Sequence, residues 1–225
     1  YTPAYFILQG PLFWASPLLY RCSVESQVRK LPASMQDPQK AIECFRKALD
    51  LTATARAMDP DVPQSDLVHE AFTLNQLGNV YSSIGKQDDA LAAFMQGLKL
   101  NPTAVSLLAN TGSTLRALNR LDEARALLKQ AVKIEEQTSG SPSVAVINNL
   151  ALVELDAGFL DSAEALLYRA KSIYEKSSEV NDLLSLKDND GHVTHLRTSD
   201  FRDETIPELI ENNIERVRVL KEKQL

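Results

Sequence analysis

A chain of 225 residues, 44% hydrophobic and 24% charged, is long enough to bury a substantial core and too ordinary in composition for wholesale disorder. Its formal net charge is −6, and Lys and Arg alternate with Glu and Asp, as at Arg116, Arg120, Glu123, Arg125 and Lys129. No basic stripe results, which excludes a nucleic-acid partner, because phosphates are held chiefly by clustered cations.

Cys22 and Cys44 are too few for a disulfide framework or a metal knuckle, and fit free thiols in a reducing compartment. Residues 1–20 carry no charge and include Phe6, Phe13 and Trp14. A membrane span of about 20 residues would just fit. However, Pro3, Gly10, Pro11 and Pro17 interrupt the stretch, and a mid-helix proline costs about 3 kcal/mol. The expectation is an apolar N-terminal arm over residues 1–22 that buries itself on the body of the protein or on a partner. Membrane contact through residues 1–20 and a broken N-terminal helix stay open beside it.

A degenerate helical pair follows over residues 23–64. Its first helix, near Ser23 to Leu31, is weak. The second is marked by Ala41, Phe45, Ala48 and Leu51, continues through Met58, and is stopped by Asp59-Pro60 and Pro63.

Residues 65–104 carry Leu74, Leu77, Gly78, Tyr81, Ala90, Phe94 and Pro102, with Gly85 at the hairpin between two helices. Residues 105–143 repeat the pattern 34 positions on with Leu108, Gly112, Leu115, Ala124, Leu128 and Ala131. Residues 144–176 repeat it again with Ile147, Leu150, Ala151, Gly158, Ala163, Leu167 and Ala170, now offset by 39. The five extra residues fall around Gln137 to Ser143, at a Ser-Gly-Ser-Pro turn.

These positions resemble the tetratricopeptide repeat, with Leu74 in place of the family's Trp. The stretch from Ala131 to Ala145, Asn148-Asn149-Leu150-Ala151, and Asp66-Leu-Val-His-Glu-Ala are similar to the longer repeats of kinesin light chains. The resemblance implies an all-α fold: an α-solenoid in which helix hairpins stack into a right-handed superhelix. Small residues at Gly78, Ala90, Gly112, Ala124, Ala151 and Ala163 let helices approach, and each pair leaves an apolar face for the next to cover.

It also implies that the first helix of each pair lines a concave groove. There Gln76, Asn110 and Asn149 form one row, Asn75, Ala109 and Asn148 a second, and Asn79, Ser113 and Leu152 a third. Carboxamides both donate and accept, so such rows suit the backbone of an extended peptide. The arrangement is similar to the asparagine ladder in the tetratricopeptide arm of O-GlcNAc transferase. In chaperone-binding tetratricopeptide domains two asparagines, matched by Asn79 and Asn110, act with Lys or Arg on a terminal carboxylate. Asn75, Ala145 and Asn149 occupy the basic positions here, which argues against a heat-shock chaperone tail as partner.

No catalytic constellation, cofactor cradle or metal site is expected. His192 and His195 lack the Cys or Glu to complete a tetrahedral set, and the Asp-Asn-Asp-Gly run lacks the first and last carboxylates of a calcium loop. Residues 177–203 read as a linker. Residues 204–225 read as a capping helix that starts at Thr205-Ile-Pro-Glu208, with Ile210, Ile214 and Val217 on one apolar face.

The expected function is a non-catalytic protein-interaction scaffold or assembly factor that holds an extended partner segment. Its alternatives are the recognition arm of a larger enzyme and a structural subunit of a large membrane-bound or organellar complex. The expected location is intracellular, cytoplasmic or organellar.

Overall fold

In the computed structural model, residues 38–58, 64–184 and 205–223 are described. The arm with Phe6, Phe13 and Trp14, the weak helix near Ser23 to Leu31, and the histidines at 192 and 195 lie outside them. Eight helices and no strands occur among the described residues: α1 (Pro38–Met58), α2 (Gln64–Ser83), α3 (Gln87–Leu100), α4 (Val105–Ala117), α5 (Leu121–Ser139), α6 (Val144–Asp156), α7 (Leu160–Leu184) and α8 (Thr205–Glu222). The chain is all-α, of the tetratricopeptide solenoid class. It divides into two compact units, Tyr1–Pro102 with α1 to α3 and Thr103–Leu225 with α4 to α8.

Hairpin corners repeat one design. Gly85, Asn119 and Gly158 all take a positive φ, at 78°, 60° and 80°. Glycine enters that region without a Cβ clash, and Asn more readily than most residues. The next residue then bonds back five positions: Lys86 N–H to Tyr81 O at 2.9 Å, Arg120 to Leu115 at 2.8 Å, Phe159 to Glu154 at 2.9 Å. This satisfies carbonyls that the helix end would leave orphaned. Neither α3 nor α5 has a side-chain N-cap bond; acids stand in the first turns instead, Asp88 and Asp89 in α3, Asp122 and Glu123 in α5, and Asp161 stands likewise in α7, where the helix dipole favours them.

Close approach follows from small residues. A Cβ on Gly78 would lie 2.8 Å from Phe94 Cζ and closer still to Cδ1 and Cε1 of that ring, and one on Gly112 would lie 2.7 Å from Leu128 Cγ. Ala90, Ala124 and Ala163 are fully buried, as are Ala131 and Ala170. Around them Phe94, Leu128 and Leu167 fill the core, each contributing about 1.5–3 kcal/mol relative to exposure.

In the first unit α2 packs between α1 and α3, and Ala41, Ile42, Phe45 and Ala48 bury one face of α1. Arg56 of α1 and Glu70 of α2 form an ion pair. In the second unit α4 touches α6 and α6 touches α8, whereas α5 and α7 have no comparable contact. The layer of α4, α6 and α8 is therefore the tighter, inner side of that unit. The five-residue insertion lengthens α5, whose Glu135 accepts bonds from Ser143 N–H at 2.8 Å and Ser143 Oγ at 3.1 Å, bracing the turn at Gly140.

α7 runs on to Leu184, so helix continues into the stretch 177–203 that the sequence assigns to a linker. α8 then caps the unit. Ile210, Ile214 and Val217 are all buried, and α8 runs antiparallel to α7: Lys171 pairs with Glu211, Arg218 donates to Tyr168 OH at 2.9 Å, and Lys221 reaches Asp161 and Glu164 at 2.6 Å. Hydrogen bonding to Glu211 raises the Lys171 pKa, and bonding to Asp161 and then Glu164 raises that of Lys221.

Candidate interaction face

The expected groove residues fall in both units. In the first, α2 half-exposes Gln76 and exposes Asn79, whose Nδ2 donates to Gln76 Oε1 at 3.3 Å, while Asn75 is buried. The same exposed face of α2 carries Phe72, 49% exposed, and Val68, 42% exposed. Spacing by four and eight residues from Val68 to Phe72 to Gln76 sets all three on one stripe. α2 thus offers an apolar half followed by an amide half.

In the second unit Asn110 and Ser113 on α4 and Asn149 on α6 are half-exposed on the inner layer. Asn148 is not: it is 8% exposed, and its Oδ1 accepts a bond from Nδ2 of Asn213 on α8 at 3.1 Å. α8 itself has the register of a first helix. Ile210, Asn213, Ile214 and Val217 are buried at the spacing of Ile147, Leu150, Ala151 and Glu154 on α6. In that register the exposed Asn212 corresponds to Asn149 and Asn110.

Asp156 joins the three inner helices. Arg116 of α4 donates to it through Nε at 2.6 Å, and Arg216 of α8 approaches its other oxygen at 3.6 Å. A buried pair lies nearby: Glu154, 4% exposed, accepts from Arg125 Nε of α5 through both oxygens at 3.1 Å, and the Arg125 guanidinium stacks 4.7 Å from the Phe159 ring centroid. On the surface, Arg120 donates two bonds of 2.7 Å to Glu123 and so holds its carboxyl below the usual range.

Sequence reasoning missed Val68, Phe72, Asn212 and Arg216. The first two lie outside the repeat's diagnostic positions, which mark only buried contacts. Asn212 had a signal, the apolar spacing of α8, which matches that of α6.

Among the described residues no group of three or more His, Cys, Asp or Glu is arranged to hold a metal ion, and no helix is long and apolar enough to cross a membrane.

The tetratricopeptide repeat profile matches residues 33–54, 75–142 and 143–182. This chain belongs to the tetratricopeptide repeat family. Such repeats stack into extended surfaces for protein partners, and this repeat protein is in general terms an interaction scaffold, on a fold that is typically non-catalytic. Among solved structures it is similar to MamA, at 17% identity over 85% of this chain and 96% of that one, with a TM-score of 0.46. It is also similar to PilW, described as a widely conserved type IV pilus biogenesis factor, at 23% identity over 60% of each chain, with a TM-score of 0.44. The comparison with curated proteins gives no match.

Proposed function

We propose that this tetratricopeptide repeat protein is a non-catalytic scaffold or assembly factor that holds an extended segment of a partner protein on the first helices of its repeats. The observation that carries this reading is the inner layer of the second unit. α4, α6 and α8 touch side by side, Asp156 bridges Arg116 and Arg216 across them, and Asn110, Ser113 and Asn149 stand half-exposed on that layer. Amides in register suit a peptide backbone, since each can donate and accept without demanding a particular side chain.

In the first unit Phe72 and Val68 add an apolar contact beside Gln76 and Asn79, of the kind that anchors a partner's aliphatic or aromatic side chain. Among the described residues the cations of the inner layer, Arg116 and Arg216, are engaged by Asp156 rather than left for a carboxylate, so the partner segment is held by its backbone and apolar side chains.

A photo-crosslinking residue at Ser113 in the full chain, expressed in its own cells, tests this. Crosslinks should concentrate on one contiguous segment of one protein and fall when Asn110→Ala is combined with Asn149→Ala. If that double variant leaves the crosslinks unchanged, the amide face is not the binding surface.

A further inference from the structure

α8 lies beyond residue 182, where the match to the repeat profile ends, and its buried Ile210, Ile214 and Val217 account for its role as a cap. Its opposite face is not needed for that role. Three observations set this face beside the amide row of α4 and α6. α6 and α8 run in the same direction, since each lies antiparallel to α7. The bond from Asn213 to Asn148 fixes their level: Asn149 and Asn212 are each one residue from that buried pair, hence within about 3 Å of one another along the helix axes. Arg216, drawn to Asp156 at 3.6 Å, holds the later half of α8 to the same layer. Neighbouring axes lie about 8–10 Å apart, so Asn212 stands one helix spacing beyond Asn149.

The surroundings of the amide differ on α8. The positions four before it and three after it share its face of the helix. They are Ser106 and Ser113 on α4, and Ala145 and Leu152 on α6, all uncharged. On α8 they are Glu208 and Glu215, both exposed, and the contact of Glu215 with Arg218 is loose at 3.7 Å. The two carboxylates stand about 10 Å apart along the helix, with Asn212 between them.

We propose, on the reading above that the amide row holds an extended segment, that Asn212 is its third rung and that the segment presents a Lys or Arg side chain to Glu208 and Glu215 where it crosses α8. Two carboxylates beside the rung favour a cation there and repel Asp or Glu. Exposed charges are screened, so the pairing adds specificity more than affinity, and it sets the direction in which the segment lies. Three helices at that spacing span about 16–20 Å, or roughly five or six residues of extended chain. α8 is then both cap and contact, with Ile210, Ile214 and Val217 facing inward and Asn212 outward.

Photo-crosslinking residues at Ser113 and, separately, at the exposed Val219 test this in the full chain, expressed in its own cells. Both should label one segment of one protein, at sites about five or six residues apart, with a Lys or Arg beside the Val219 site. That segment is then made as a fluorescent peptide. Asn212→Ala should weaken its binding about two- to tenfold, the worth of one hydrogen bond, with helical circular dichroism unchanged. Asn212→Gln should retain most of the binding. Glu208→Gln with Glu215→Gln should weaken the peptide severalfold at low salt and leave unchanged a peptide whose basic residue is replaced by Ala. The proposal is overturned if Val219 labels nothing or another segment, if no basic residue stands beside that crosslink, or if the α8 variants bind as the wild type does. In each of those cases, loss of Ser113 crosslinks in Asn110→Ala with Asn149→Ala still upholds the amide row. If Ser113 crosslinks persist in that double variant, the amide row falls and the third rung with it.

Discussion

Asn213 of α8 donates a hydrogen bond of 3.1 Å to Asn148 of α6, and the two residues are only 9% and 8% exposed. Repeat register alone assigns Asn148 to an open face. The terminal helix seals it, and the amide becomes a fastener between the last repeat and its cap. A buried amide left without its partner costs about 1–3 kcal/mol. Asn213→Leu should therefore destabilise the protein by about that amount. Adding Asn148→Leu should recover much of the loss, because no carbonyl is then stranded. Urea unfolding followed by circular dichroism checks both variants.

The Arg125–Glu154 pair behaves by a different rule, since one partner is almost wholly buried. Arg125→Met strands the Glu154 carboxylate with only Lys129, 4.0 Å away, and should cost about 3–5 kcal/mol. Replacing both, as Glu154→Leu with Arg125→Leu, matches Leu115 and Leu91 in the earlier repeats. That double variant should unfold at or above the wild-type urea midpoint.

Gly78 is a packing requirement of the first unit. Gly78→Ala would normally favour a helix by about 0.5–1 kcal/mol. Here the methyl meets the Phe94 ring, which is buried and cannot swing away, so overpacking of about 1–3 kcal/mol should win. The third repeat pairs Ala151 with Leu167 at the same two positions, so Gly78→Ala with Phe94→Leu should be more stable than Gly78→Ala alone. Thermal unfolding of the three proteins ranks them.

Docking of α8 should weaken in alkali and in salt. Lys171 and Lys221 hold their protons more tightly when folded, the first through Glu211 and the second through Asp161 and Glu164. Their stabilisation is complete below the ordinary lysine value and is lost as pH rises through the raised one. Melting temperature should fall along that alkaline limb, and the fall should be smaller in Lys171→Met with Lys221→Met. At about 1 M salt, where the screening length is ~3 Å, the wild type should approach the double variant.

What could be read beforehand follows from what a repeat constrains. Gly78, Gly112 and the buried alanines recur because helices must touch there, so sequence spacing revealed them, and the corners at Gly85 and Gly158 with them. Asn119 takes the same left-handed conformation without being glycine, which composition does not announce. The interaction face was only partly legible. Val68 and Phe72 are exposed and free of the packing rule, and the burial of Asn148 depends on a helix 65 residues away, beyond a stretch with no repeat signal. Glu154, at a position held by Tyr81 and Leu115 in the other repeats, reveals its partner only once α5 and α6 are set side by side.

The three corners at Gly85, Asn119 and Gly158 also set an order in time. Each is closed by a bond reaching back only five residues, so a hairpin can form before any distant segment arrives. The contacts that follow stay short in sequence, 29 residues from Arg125 to Glu154 and 40 from Arg116 to Asp156. Chains dominated by such local contacts fold quickly. The α8 cap, whose contacts are with α6 and α7, can dock only once those two helices present a surface.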